Sequence, residues 1–301
     1  MNYNKSPART AFIAFNTIFL TVTGLICILP FLHLLALSFS ENSVVAAGRV
    51  SFWPINFTTA AYEFAIRGGK FFPALFISIK RVLLGVSVNL FLIIITAYPL
   101  SKNRKQLVGR NIYMTFFIVT MIINGGLIPT YILVVRLGLL NSLWALILPP
   151  VGSIGALPVF FMVIMMNFIR GLPQEIEDAA IIDGAGVFQV LVRVMLPLLP
   201  PAIATIGLFS IVAHWNEWFG GLIYMQNPEL YPLQTYLRTL LRNFEDIIRM
   251  AQGDYAEILR LLNVRTGRSA QLFLGMIPVL IAYPFLQKYF TTGLVLGSVK
   301  G

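Results

Sequence analysis

Residues Arg170 to Pro197 read RGLPQEIEDAAIIDGAGVFQVLVRVMLP, and this stretch decides how the rest of the chain is to be understood. Glu175, Glu177, Asp178 and Asp183 bar its first half from hydrocarbon, because each acid costs about 2.5–3.5 kcal/mol at the middle of a bilayer. Its local signals describe two short helices instead. Pro173 suits a first helical position, and the acids just after it sit at the positive end of the helix dipole. Gly184 and Gly186 supply a stop, and Pro197 closes the second helix. Ile176, Ala179, Ala180 and Asp183 share one face at i, i+3, i+4 and i+7 spacing, with small residues at its centre that let another surface come close. The expected shape is a compact helical knob in water, presented to a partner.

Outward from the knob the chain turns apolar in both directions. Of 301 residues, 57% are hydrophobic and 11% charged, against roughly 25% charged in ordinary globular domains. That excludes a soluble enzyme and a disordered protein. A spanning helix needs about 20 mostly apolar residues, and Ala11–Ser38, Phe72–Leu100, Asn111–Val135, Leu143–Ile169, Leu199–Met225 and Ser269–Phe290 qualify. The expected fold is an all-α integral membrane protein with six transmembrane helices. Lys5 and Arg9 precede the first run as they would in a signal peptide. The apolar run is, however, longer than the roughly 7–15 residues of such a peptide's core, so it reads as a retained span. Lys80 and Arg81 fall inside the second span and are expected to snorkel to the interface. Gly125, Gly126, Pro129, Pro149, Pro150, Gly152, Gly155 and Pro158 interrupt later spans. Such breaks occur where backbone lines a watery cavity, although Gly and Pro are also commoner in membrane helices generally.

The net charge of +10 would point to nucleic acid in a soluble protein. Here it reports membrane orientation, and no nucleic-acid partner is expected. The short turn Ser101–Asn111 carries Lys102, Arg104, Lys105 and Arg110, whereas the short turn Arg136–Ser142 carries only Arg136. Basic residues collect in short cytoplasmic loops, so both termini are read as cytoplasmic. Cys27 is the single cysteine, which excludes a disulfide framework or a cysteine-built metal site.

The knob resembles the EAA loop of ATP-binding-cassette importer permeases. Here the motif reads Asp178-Ala179-Ala180, Ile181-Ile182-Asp183, Gly184, and later Val194-Met195-Leu196-Pro197, with Asp in place of the usual first Glu. Asp183-Gly184-Ala185 is similar to the carbohydrate-importer branch of the maltose-permease type and its alginate-type relatives. Ala97–Ser101, Gly126–Pro129, Leu137–Ser142, Trp215-Asn216-Glu217 and the tail from Lys288 to Gly301 carry the likeness over most of Phe72–Gly301. The resemblance implies a permease core at residues 72–290, preceded by a tail, first helix and outer loop at 1–71 and followed by a cytoplasmic tail at 291–301. It further implies a bacterial inner-membrane subunit that pairs with a second homologous permease, an ATPase dimer and an extracytoplasmic solute-binding protein. Glu175, Glu177, Asp178, Ala179, Ala180, Asp183 and Gly184 would then couple to the ATPase.

The chain has no nucleotide site of its own. Gly68-Gly69-Lys70-Phe71 lacks the first Gly spacing and the Ser/Thr of a phosphate-binding loop, so no cofactor is expected here and ATP belongs to the partner subunits. In the fifth span Ser210, His214, Glu217 and Gly221 fall at i, i+4, i+7 and i+11, one polar stripe on a helix. Trp215 and Trp218, with Phe219, form a neighbouring aromatic face beside Asn216. Ionisable groups in a membrane helix usually face the bundle interior or a watery path, and aromatic faces next to hydrogen-bonding groups suit sugars. Ser210, His214, Trp215, Asn216, Glu217 and Trp218 are therefore the candidate substrate pathway. Glu217 serves equally as an anchor for a cation, and the tryptophans as an interfacial belt. Outer segments hold more Lys and Arg than Asp and Glu, which would attract an anionic oligosaccharide such as a uronate oligomer. A membrane-embedded enzyme using His214 and Glu217 is the alternative. Finally, Leu233, Tyr236, Leu237, Leu240, Leu241, Phe244, Ile247 and Ile248 follow a helical period in the outer loop 226–268. Such a helix suits lipid, a sister subunit or a binding-protein dock.

Overall fold

The computed structural model describes residues 7–67, 69–123, 125–150, 154–242 and 264–298. Among these every named element is helical, and the one pairing of extended backbone is a bridge between Ser40 and Phe57. The chain divides into two units, Met1–Gly68 with Leu237–Met276, and Gly69–Tyr236 with Ile277–Gly301.

The first unit opens with α1, Pro7–Ser38. Its 32 residues reach about 48 Å at 1.5 Å per residue, more than the roughly 30 Å of hydrocarbon in a bilayer. Its apolar side chains from Phe12 to Leu32 are exposed. Two short helices follow, α2 at Asn42–Ala46 and α3 at Ala60–Arg67. Here Ala36 packs on Val45 and Val50, and Ser38 Oγ lies 2.8 Å from the Tyr62 hydroxyl.

The second unit is built on α4, Phe71–Ser101. Ala74, Ser78, Arg81, Gly85, Asn89, Ile93 and Ala97 are among its buried positions. They recur every three or four residues and so form one face. That face packs on α7, Val159–Arg170, and α10, Pro200–Asn216. Ile93, Ala97, Met162, Met165, Leu199 and Ile206 are the centre of the shared core.

Three of the other expected spans are not continuous rods, whereas Ser269–Phe290 lies within one helix, Val264–Ser298. Asn111–Val135 is divided into α5, Arg110–Ile122, and α6, Leu127–Arg136, bent by 109°. Gly126 lies in the break at φ +86°, which favours glycine because a Cβ is strained there. Leu143–Ile169 begins as a single 3₁₀ turn, Leu143–Leu146, and becomes α-helical only after Pro158. Pro149, Pro150 and Pro158 have no N–H to give a helix and clash with the preceding turn. Leu199–Met225 stops at Asn216 and resumes as α11, Phe219–Tyr224.

Between α7 and α10 the expected helical hairpin is present as α8, Gln174–Ile182, and α9, Val187–Leu198. Pro173 precedes the first helical residue, and Pro197 lies in a closing 3₁₀ turn rather than beyond the helix. The chain continues through α12, Leu233–Arg242, to α13, Val264–Ser298. The remainder of the expected amphipathic helix, with Phe244, Ile247 and Ile248, lies outside the described residues, as do Lys5, Gly152 and the tail end at 299–301.

Candidate functional site

Two places in the second unit gather the polar side chains, and α4 touches both. The first is a buried seam between α4 and α10. Asn89 has no exposed surface, and its amide nitrogen donates to the carbonyls of Gly155 and Ala156 at 2.7 and 2.9 Å. This orients the amide oxygen toward His214 Nε2, 3.0 Å away. That imidazole nitrogen must therefore be the donor, since a carbonyl-type oxygen only accepts.

Arg81 is fully buried, so the sequence-based expectation that it snorkels is wrong. Only Lys80 is exposed, with its ammonium 4.5 Å from the Phe76 ring centroid. Arg81 stays inside because it is paired. Nη2 lies 2.7 Å from Glu217 Oε2, Nη1 donates to the Glu217 carbonyl at 2.9 Å, and Nη2 donates to the Leu146 carbonyl at 3.1 Å. A guanidinium tolerates burial when a carboxylate pairs with it and carbonyls accept from its terminal nitrogens.

Those contacts hold the α10 break. Glu217 follows the last turn of α10 in an extended conformation, and its Oε1 accepts from the Gly220 N–H at 2.7 Å. The residue thus caps α11 with one oxygen while the other faces Arg81. Beyond it, Trp218 O accepts from Thr235 Oγ1 at 2.7 Å. A Cβ at Gly221 would strike the Thr235 side chain. Gly221 is therefore a packing glycine on α11, not the end of a stripe on one helix.

The break opens a cavity of about 500 Å³ lined by Phe161, Phe209, Val212, Ala213, Asn216, Glu217, Trp218 and Phe219. Of the candidate pathway residues, Asn216, Glu217 and Trp218 line it. Ser210, His214 and Trp215 are buried and do not. The buried side-chain polar atoms left without a hydrogen bond or ion pair among the described residues lie in this seam: Arg81 Nε, Ser210 Oγ and His214 Nδ1, while Glu217 Oε2 has only its ion pair with Arg81. Such groups are rare and usually mark function or a bound water. His214 and Glu217 are committed to different partners, Asn89 and Arg81, and only Glu217 reaches the cavity.

The second place is the α8–α9 knob. Gly184 has φ +85° and ends α8 with paired capping bonds, Gly184 N to Ile181 O and Ala185 N to Ala180 O, both 3.0 Å. This is a Schellman turn. It leaves Ile181, Ile182, Val187 and Phe188 at 51%, 84%, 75% and 74% exposure, four large apolar side chains on either side of one turn, and such exposure marks interaction surfaces. Glu175, Asp178, Ala179, Asp183 and Gly184 are exposed with it. Ala180 instead packs on the core, which splits the expected Ala179-Ala180 face.

Glu177 also turns inward. Tyr98 Oη donates to its Oε1 at 2.9 Å, and Lys102 forms an ion pair with it. Lys102 Nζ lies 4.1 Å from the Tyr98 ring centroid. Around the same end of α4, the Leu100 carbonyl accepts from Arg110 Nε at 2.8 Å and Arg170 Nη2 at 3.1 Å.

Reading the sequence alone missed Arg81, Asn89, Tyr98 and Lys102 as site residues. The signal was present in the spacing of Ser78, Arg81, Gly85 and Asn89, a polar and small stripe within an apolar helix.

Residues 89–295 match the family described as "Binding-protein-dependent transport system inner membrane component". The chain is 37% identical to the polygalacturonan/rhamnogalacturonan transport system permease protein YtcP of Bacillus subtilis (strain 168), over 94% of this chain and 96% of that one. It is 37% identical to protein LplC of the same organism, over 99% and 98%. Among solved structures it is similar to a bacterial ABC transporter involved in the import of the acidic polysaccharide alginate. That match has a TM-score of 0.76 and 29% identity, covering 96% of this chain and all of that one.

Proposed function

We propose, because the chain belongs to the family of binding-protein-dependent transport system inner membrane components, that it imports an anionic, uronate-rich oligosaccharide through the cavity at the α10 break. The chain is an all-α, multi-pass permease subunit of a carbohydrate-type ATP-binding-cassette importer. The observation that carries the substrate reading is that cavity. Phe161, Phe209, Trp218 and Phe219 offer flat faces to sugar rings, and Asn216 offers an amide to hydroxyls. Broken helices at membrane depth belong where they line such a path. The net charge of +10 and the basic outer segments favour an anionic solute. The printed substrates of two relatives, polygalacturonan and alginate, are acidic as well.

In this reading the exposed apolar tip of the knob, with Asp178 and Asp183 beside it, docks on a separate ATPase subunit at the cytoplasmic side. A second permease and an external binding protein complete the importer, and both termini lie in the cytoplasm. ATP-driven closure of the ATPase pair pushes on the knob and drives the permease between outward- and inward-open states. Asn216 and Trp218 bind sugar, while Arg81 and Glu217 hold the break that places them. The enzyme alternative loses its support, because His214 is sealed in the seam against Asn89.

The test is uptake and ATP hydrolysis in proteoliposomes holding the permease pair, its ATPase and its binding protein. Oligogalacturonate stimulates hydrolysis, and Trp218→Ala lowers uptake by about tenfold. Stimulation by neutral oligosaccharides alone defeats the anionic part. Turnover of sugar by the purified chain without partners defeats the permease reading in favour of the enzyme.

A further inference from the structure

Of the four acids in the knob, Glu175, Asp178 and Asp183 are exposed and Glu177 alone turns inward. Glu177 sits between exposed Ile176 and exposed Asp178, yet its carboxylate is only 14% exposed. It accepts from the Tyr98 hydroxyl and pairs with Lys102. Both partners belong to the last turn of α4 or the residue that follows it. Two guanidinium groups, of Arg110 and Arg170, close on the carbonyl of Leu100, which lies between Tyr98 and Lys102. The cytoplasmic end of α4 is thus clamped to the knob by a charged, partly buried cluster.

The other half of α4 holds the seam. Asn89 lies nine residues before Tyr98 and Arg81 a further two turns along, about 25 Å of rigid helix between Arg81 and Tyr98. Arg81 fixes the α10 break, and the break lines the cavity. The seam is also where the unsatisfied buried polar atoms gather.

We infer that Glu177 is a positioning residue that latches the knob to α4, so that displacement of α8 moves Arg81 and Asn89 and thereby reshapes the α10 break. The latch consists of Glu177, Tyr98 and Lys102. It transmits the push of the ATPase and contributes no contact to the ATPase itself. This inference rests on the proposed coupling of the knob to a separate ATPase.

The experiment uses the complete permease pair in nanodiscs with its ATPase subunits. A reporter, Asn216→Cys in a Cys27→Ser background, is labelled with a membrane-impermeant maleimide in the nucleotide-free and the ATP–vanadate-trapped complex. In the unlatched variants Lys102→Met and Glu177→Gln, the severalfold ATP-dependent change in labelling rate falls below twofold. Capture of the ATPase stays within about twofold of the parent for Lys102→Met. The double variant is no worse than either single, Tyr98→Phe is intermediate, and the exchange Glu177→Lys with Lys102→Glu restores at least half of the change.

Two results overturn the latch while leaving the coupling reading intact. One is a parent complex that responds to ATP alongside Lys102→Met and Tyr98→Phe variants that respond equally. The other is a Glu177→Gln variant that loses ATPase capture by tenfold or more while Lys102→Met is silent, which makes Glu177 a docking contact. A parent permease that captures no ATPase overturns the coupling reading and the latch together.

Discussion

Replacing Arg81 by Met tests the seam most directly. The side chain is fully buried, and Met fills a similar volume without strain, so cavity effects stay small. What is lost is the partner of a carboxylate that is 7% exposed, 2.7 Å away. Leaving one member of a buried pair uncompensated costs about 3–5 kcal/mol. Glu217→Gln strands the guanidinium instead, but its amide still accepts from Gly220, so the cost falls at the low end, about 3 kcal/mol. The double variant holds no stranded charge. It loses the donors to the Glu217 and Leu146 carbonyls, about 1–3 kcal/mol for each buried acceptor left unmade, a loss that Arg81→Met carries equally and that therefore cancels from the cycle. The singles therefore fail to add, and the coupling energy is at least about 2 kcal/mol. Reversible unfolding of the purified permease in mixed detergent–SDS micelles measures all four corners of the cycle. Additivity within about 0.5 kcal/mol would refute the argument that Arg81 and Glu217 hold each other in the seam.

Gly85→Ala puts a Cβ against the His214 ring, 2.8 Å from its Cδ2, and lowers the melting temperature in detergent by several degrees. Gly24→Ala, with open space around it, does not, although an alanine favours both helices by about 1 kcal/mol. Ser78→Ala removes the acceptor of the buried Leu233 N–H, now bonded at 2.8 Å. It destabilises by about 1–3 kcal/mol in the same SDS titration, and Ser78→Thr recovers part of that. Asp178→Lys and Gly184→Pro leave membrane insertion intact and abolish substrate-stimulated ATP hydrolysis in the reconstituted complex. Normal stimulation in both would remove the knob from the coupling path.

The knob was the most legible part. Its acids, its glycine at positive φ and its flanking prolines are local signals, and the Schellman turn at Gly184 follows from residues adjacent in sequence. The direction of individual side chains was less so. Ile176, Ala179, Ala180 and Asp183 share a face on a helical wheel, but a wheel does not say which arc meets the protein. Tyr98 and Lys102, some eighty positions away, draw Glu177 inward and take Ala180 with it.

The α10 stripe shows the same division. Hydropathy alone runs Leu199–Met225 as one span, since Glu217 is a single acid in an apolar run and nothing local forbids continuing. The helix ends there because the Glu217 side chain caps the next turn and its carbonyl meets Arg81. Trp215 and Trp218, three apart on an ideal helix, are thereby separated, one into the core and one onto the cavity.

By itself the sequence determined the membrane class, the acidic helical knob between two apolar segments and the family to which both belong. These follow from composition, charge and short-range spacing, which act on residues near each other in the chain. Only the tertiary structure decided that Arg81 is buried, that His214 is sealed against Asn89, and that Glu177 faces α4. Each of those outcomes depends on a charge or amide finding a partner across 75 to 136 residues of chain, and a buried polar group goes wherever that partner is.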